Sequence, residues 1–141
     1  MQTIVIVGGG AGGLELATRL GDSVGRAGTC LGSERMLRQA FELHADPQRI
    51  EVVKGWFADT FPAHVDRIES VAVLHVDGDW YDSVKLTLEA FYDKVSPGGI
   101  VAIDDYGHWK GSRRAVDDFR AERGVVAPMT AVDYSGRYWR V

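Results

Sequence analysis

The stretch Thr3-Ile4-Val5-Ile6-Val7-Gly8-Gly9-Gly10-Ala11-Gly12-Gly13 decides how the rest of this chain is read. From Thr3 to Val7 every residue is β-branched, with no polar alternation after the first, which suits a strand buried on both faces of a parallel sheet. The glycines end that strand abruptly. Leu14, Leu16, Ala17 and Leu20 follow at near-helical spacing. The segment therefore reads as strand, tight turn and helix, with the helix amides facing whatever lies beyond the strand's carboxyl end. Such a turn cradles a nucleotide-type cofactor; the alternative is a tight strand-to-helix turn with no ligand. Gly8, Gly10 and Gly13 satisfy the dinucleotide pattern G-x-G-x-x-G. Gly8, Gly10 and Gly12 equally satisfy the G-x-G-x-G turn expected around a methionine-derived nucleotide, and spacing leaves the two open.

With 141 residues the chain is expected to form a single domain, 1–141, burying about two-thirds of its unfolded surface. A net charge of −4 and a pI near 5.5, with no basic stripe, argue against nucleic acid or an anionic membrane as partner. The nearest thing to a basic cluster is Lys110, Arg113 and Arg114 at a helix start. A single cysteine, Cys30, excludes an internal disulfide and fits a reducing, cytoplasmic setting; the residue itself reads as a small buried apolar group. No run approaches the ~18 apolar residues of a membrane span, and the amino terminus lacks a charged leader pattern.

Outward from the glycine turn, residues 21–28 read as a loop and Thr29–Leu31 as a very short second strand. Glu34 then stands where an acidic side chain reaches a cofactor ribose, or else in the first turn of a helix capped by Ser33 and running to His44. Residues 50–53 are expected as a strand and 59–62 as a loop. Trp56 or Phe57 is placed either to stack on an adenine or to pack on the sheet edge. Ser70–Val76 reads as a strand and Val84, Leu88, Phe91, Tyr92 and Val95 as the apolar stripe of a helix capped by Asp82 or Ser83 and closed by Ser96-Pro97-Gly98-Gly99. Ile100–Ile103 is the next strand. A helix from Ser112, with Ala115, Val116, Phe119 and the Arg123 stem inward, stops at Gly124, and 129–133 with 137–141 form a closing hairpin. Alternating strands and helices give an α/β, Rossmann-like, doubly wound and mostly parallel sheet with a carboxyl-terminal antiparallel hairpin. If the short second strand does not form, the first strand is an unprotected edge, and a homodimer through it is expected.

Two strands end in aspartate: Asp77 after Val76, and Asp104 with Asp105 after Ile103. Carboxylates gathered at one sheet edge repel unless a cation lies between them, and hard oxygen ligands with open positions suit Mg²⁺. The alternative is that these are turn and helix-cap residues. His75 reads as a core or supporting residue, and His64 and His108 as exposed loop residues, so no general base is identifiable.

Two resemblances bear on these alternatives. IVIVGGGAGGLELATRLG, residues 4–21, resembles the amino terminus of type II NADH dehydrogenases and related flavin disulfide-reductase-like enzymes, where this turn holds FAD; it covers about residues 1–28. KGWFADTFP, VLHVDGDWYDSVKLTLEAFYDKVSPGGIVAIDDYGHWKGSRRAVDDFRAERG and the final YWRV resemble the macrocin O-methyltransferase family, class I S-adenosylmethionine enzymes that methylate sugar hydroxyls, from about Ser33 onward. That likeness implies S-adenosylmethionine as cofactor, with FAD or NAD the alternative, and Mg²⁺ on Asp77, Asp104 and Asp105. The family's own first strand, acidic ribose-gripping segment and acceptor-enclosing region have no counterpart here. Together the two resemblances imply an engineered chimera joined near residues 28–33, with weak or no turnover, or a scaffold that binds nothing tightly.

Overall fold

The computed structural model describes residues 3–8 and 51–141. The expected turn glycines Gly10, Gly12 and Gly13, Cys30, Glu34, the short strand at 29–31 and the helix at 34–44 lie outside these residues.

Strand β1, Thr3–Gly8, runs parallel to β2, Val71–Asp77, which runs parallel to β3, Val95–Ile103. Two shorter strands, β4 (Thr130–Ala131) and β5 (Arg137–Arg140), complete a sheet of order β1-β2-β3-β5-β4. β5 is antiparallel to both β3 and β4. The helices are α1 (Phe57–Val65), α2 (Tyr81–Phe91) and α3 (Lys110–Glu122), with a 3₁₀ turn at Tyr92–Lys94. None of the described helices is long and apolar enough to cross a membrane. This is the expected mostly parallel α/β sheet with its closing hairpin.

Strand register explains the core. Val7 pairs with Val76 and Val76 with Ile103, while Leu74 pairs with Val101 and Val101 with Trp139, so these side chains share one sheet face. All six are buried. Val84, Leu88 and Phe91 of α2 and Ala115, Val116 and Phe119 of α3 join that core, the latter as the helical spacing predicts. Trp139 is 1% exposed, with the Arg120 guanidinium 4.9 Å from its ring centroid. The Tyr81 hydroxyl of α2 donates to Asp118 Oδ2 of α3 at 3.0 Å, and Lys85 pairs with Glu122, tying the two helices together along their length.

Several boundaries differ from expectation. Residues 51–53 join no ladder with a described strand; Val53 is exposed and Glu51 pairs with Arg67 at 3.1 Å. The expected loop at 59–62 lies inside α1, Pro62 included, because Phe57, Phe61 and Val65 recur at helical spacing and pack on the core. Phe61 meets Phe91 edge-on at 4.8 Å, and this contact outweighs the turn chemistry of Asp59 and Pro62. Neither Asp82 nor Ser83 caps α2, and Ser112 does not start α3. The residues before these helices are Trp80 and Trp109, neither with a side-chain cap bond, and Ser112 is buried in the first turn of α3. Ser96 to Gly99 belong to β3 rather than to a helix-closing turn. Gly124, at φ 63°, follows α3 as expected.

Candidate functional site

Parallel pairing brings the strand ends together. Gly8, the last residue of β1, pairs with Asp77, the last of β2. Beyond the β2–β3 ladder the Asp104 amide still donates to the Val76 carbonyl at 3.0 Å, so Asp104 continues that register beside Asp77. The backbone then turns. The Asp105 carbonyl accepts from the amides of His108 (3.1 Å) and Trp109 (2.9 Å), which folds the chain back into α3.

The result is a ring of three carboxylates at the carboxyl edge of the sheet, where ligands sit in open α/β sheets. Asp77, Asp104 and Asp105 each offer an oxygen within 4.8 Å of the others; Asp77 and Asp105 are buried and Asp104 half-buried. Burial pushes the Asp105 carboxyl up to about 6, and the charges of Asp79 and Asp104 push the same way; a hydrogen bond with Asp77 opposes them. Asp105 Oδ2 is buried with no hydrogen-bond partner on the protein. A buried carboxylate with an unmatched oxygen, set among other carboxylates that disfavour its charge, is the donor chemistry a hard divalent cation satisfies.

Asp79 went unnoticed in the sequence. It is the one described non-glycine residue with positive φ, 52°, a conformation that aspartate tolerates better than most. Its Oδ1 is buried and unpartnered. The geometry comes from α3: a Cβ on Gly111 would meet the Tyr81 amide nitrogen at 3.1 Å and the Asp79 carbonyl at 3.5 Å, so the helix start presses on the Asp79–Tyr81 turn. The only signal in the sequence was the second aspartate of Val76-Asp77-Gly78-Asp79.

The other expected site residues fall elsewhere or beyond view. Trp56 precedes α1 and is 66% exposed. His64 lies in α1 rather than on a loop; it is half-buried, with Nδ1 2.8 Å from the Thr60 carbonyl and Nε2 3.5 Å from Glu51. His75 is half-buried in β2, and exposed His108 has Nδ1 3.2 Å from the Tyr134 hydroxyl. Of the glycine turn only Gly8 is described. It pairs with Asp77 at the carboxyl end of β2.

A family profile for macrocin-O-methyltransferase (TylF) matches residues 23–141. The chain belongs to the macrocin-O-methyltransferase family. The match begins some residues upstream of Ser33 and leaves the amino-terminal strand and glycine turn outside it. Among curated relatives, the demethyldecarbamoylnovobiocin O-methyltransferase of Streptomyces niveus is 39% identical over 93 residues, 66% of this chain and 35% of that protein. The mycinamicin III 3''-O-methyltransferase of Micromonospora griseorubida is 37% identical over 92 residues, 65% of this chain and 35% of that protein. The matched stretch thus spans about a third of each relative. Among solved structures, the O-methyltransferase NovP superposes with TM-score 0.73 and 34% identity over 99% of this chain and 56% of its own. Apo CalS11, a TDP-rhamnose 3'-O-methyltransferase, gives TM-score 0.61 and 25% identity over 76% of this chain and 50% of its own.

Proposed function

We propose that this chain carries an S-adenosylmethionine-dependent, Mg²⁺-assisted sugar O-methyltransferase site. The observation that supports it most is the ring of Asp77, Asp104 and Asp105, the first and last of them buried, at the carboxyl ends of β2 and β3, in a chain of the macrocin-O-methyltransferase family. Asp77, Asp104 and Asp105 would hold Mg²⁺, which supplies charge stabilisation to an acceptor hydroxyl, while S-adenosylmethionine, held from the turn that starts at Gly8, supplies an activated methyl group. The chain's own contribution is positioning. Strand register holds Asp77 and Asp104, the turn before α3 holds Asp105, and the strained Asp79 backbone aims a fourth carboxylate at the same space. On this reading Asp79, whose buried Oδ1 has no hydrogen-bond partner, would take the acceptor's proton. Trp56 is the exposed aromatic side chain for an adenine.

The test is a thermal-shift and calorimetric titration with S-adenosylhomocysteine, with and without Mg²⁺, on the wild type and on Asp77→Asn and Asp104→Asn. S-Adenosylhomocysteine at ~100 times its dissociation constant adds about 2.7 kcal/mol, several degrees of melting temperature. Both substitutions are expected to remove Mg²⁺ binding and leave a cooperative fold. Unchanged Mg²⁺ affinity in the variants overturns the metal assignment.

A second reading is FAD or NAD binding through Gly8, Gly10 and Gly13 with Glu34, carried by the glycine spacing of the amino-terminal stretch. It goes with an engineered join of two Rossmann-like proteins. A shift with FAD or NAD and none with S-adenosylhomocysteine selects it, and a flat response to all three selects a scaffold without a cofactor.

A further inference from the structure

Each described helix begins directly after a tryptophan, and none of the three side chains caps its helix. Indole has no acceptor for the first amides, so the N-cap position gives up about 1 kcal/mol relative to Ser, Asp or Asn. At Trp80 and Trp109 a second cost is added, since the rings are 56% and 42% exposed. Local choices that work against stability mark places held for function.

These two rings lie together. Their centroids are 6.0 Å apart and their planes tilted by 31°. Each follows a carboxylate turn, Trp80 after Asp77-Gly78-Asp79 and Trp109 after Asp104–His108. Each is also fixed by its backbone. The Trp80 amide donates to the Gly78 carbonyl and the Trp109 amide to the Asp105 carbonyl, while their own carbonyls accept from Val84 and Arg113 at 3.0 Å. His108 meets Trp109 edge-on at 5.0 Å and Tyr134 at 5.9 Å, extending the aromatic surface. Two exposed, neighbouring indoles thus follow, along the chain, directly on the turns that carry the carboxylates.

We infer that Trp80 and Trp109 form the platform on which the acceptor's sugar ring lies, its C–H face against the indoles and its hydroxyls turned toward Asp77, Asp104 and Asp105. The inference deepens the methyltransferase reading and rests on it. The two ring faces present π-electron density, which attracts the slightly positive C–H groups of a pyranose, and a 6-deoxy sugar adds a methyl group to that apolar face. One relative acts on a rhamnosyl compound by name and a structural neighbour on TDP-rhamnose, both 6-deoxyhexose acceptors. The carboxylates supply the polar half of the same recognition: an aromatic floor orients the ring and charged groups select its hydroxyls.

The probe is methyl α-L-rhamnopyranoside, added to the full chain with Mg²⁺ and S-adenosylhomocysteine. The chain has four tryptophans, so its amide correlation spectrum carries four indole N–H signals, assigned with Trp80→Phe and Trp109→Phe. Saturable shifts of the Trp80 and Trp109 signals, with those of Trp56 and Trp139 unmoved, are expected. Trp80→Ala and Trp109→Ala are each expected to weaken glycoside binding by about tenfold, and the phenylalanine variants to retain most of it, with S-adenosylhomocysteine affinity unchanged throughout. S-Adenosylhomocysteine binding with no response at Trp80 and Trp109, or alanine variants that bind the glycoside as the wild type does, overturns the platform and leaves the methyltransferase reading intact. Loss of S-adenosylhomocysteine binding in the wild type itself overturns both.

Discussion

Replacing Gly107 by alanine is expected to loosen the carboxylate site from outside it. Gly107 follows Asp104-Asp105-Tyr106 and packs against the tip of the β4–β5 hairpin. A Cβ there would run into the Tyr134 carbonyl oxygen and sit 2.9 Å from Ser135 Cα and 3.2 Å from the Tyr134 carbonyl carbon. All are backbone atoms, so no side-chain rotation relieves the clash. The hairpin tip cannot easily yield either, because Asp133 Oδ1 accepts from the amides of Ser135 (2.9 Å) and Gly136 (2.6 Å) and Ser135 is buried. Separation breaks the bond from the Gly107 amide to the Ser135 carbonyl, 2.8 Å. Overpacking of this kind costs ~1–3 kcal/mol and the lost hydrogen bond about 1 more, so Gly107→Ala should destabilise by about 2–4 kcal/mol. For a domain of this size that lowers the melting temperature by roughly 10 °C. Urea denaturation and thermal melts measure the stability, and calorimetry the Mg²⁺ affinity, which falls as Asp104 and Asp105 shift. Gly98→Ala is the control: its φ is 80°, but a Cβ there meets nothing within 4 Å. It should cost about 1 kcal/mol of backbone strain and leave Mg²⁺ affinity alone. A Gly107→Ala protein that melts within about 2 °C of wild type refutes the contact as the support of the loop.

Further outcomes follow from the same contacts. Asp105 has a folded-state pKa of about 6, above the ordinary 3.8, so it favours folding fully at pH below 3.8 and loses that contribution as pH rises through 6. Without metal, melting temperature should therefore fall between about pH 4 and 6.5, by the equivalent of on the order of 2 kcal/mol; Asp105→Asn should remove this dependence, and excess Mg²⁺ at pH 7.5 should raise stability again. Trp139→Ala should cost about 3–5 kcal/mol by urea unfolding, since it removes the largest buried side chain and the packing of β5 on β3; a loss under about 1 kcal/mol would show that the hairpin is not part of the cooperative fold. Gly111→Ala, whose Cβ would lie 3.1 Å from the Tyr81 nitrogen, should change stability by only about 1 kcal/mol yet displace the Asp79 turn, read as a shift of the Trp80 indole signal.

Residues 71–77 and 100–103 were legible as buried strands because continuous β-branched and aliphatic runs have few other places to go, and the stripe of α2 followed from its spacing. The aspartates that close β2 and β3 could be placed at one sheet edge from the chain alone, since parallel strands bring their carboxyl ends to the same side. The boundaries failed where a local signal met a tertiary one: Asp59 and Pro62 carry turn chemistry, but Phe57 and Phe61 had a core to join. The order of the last strands, with β5 inserted beside β3, depends on pairing across some forty residues, and no local pattern encodes it. The same holds for the Asp79 turn held by Gly111, the Gly107 contact with Ser135, and the meeting of Trp80 with Trp109. Periodicity and turn chemistry act over a few residues, so the sequence alone determined the element types and the chemistry at their ends. Which ends meet, and which side chains stay uncovered there, is settled by packing between distant segments, and only the tertiary structure decided it.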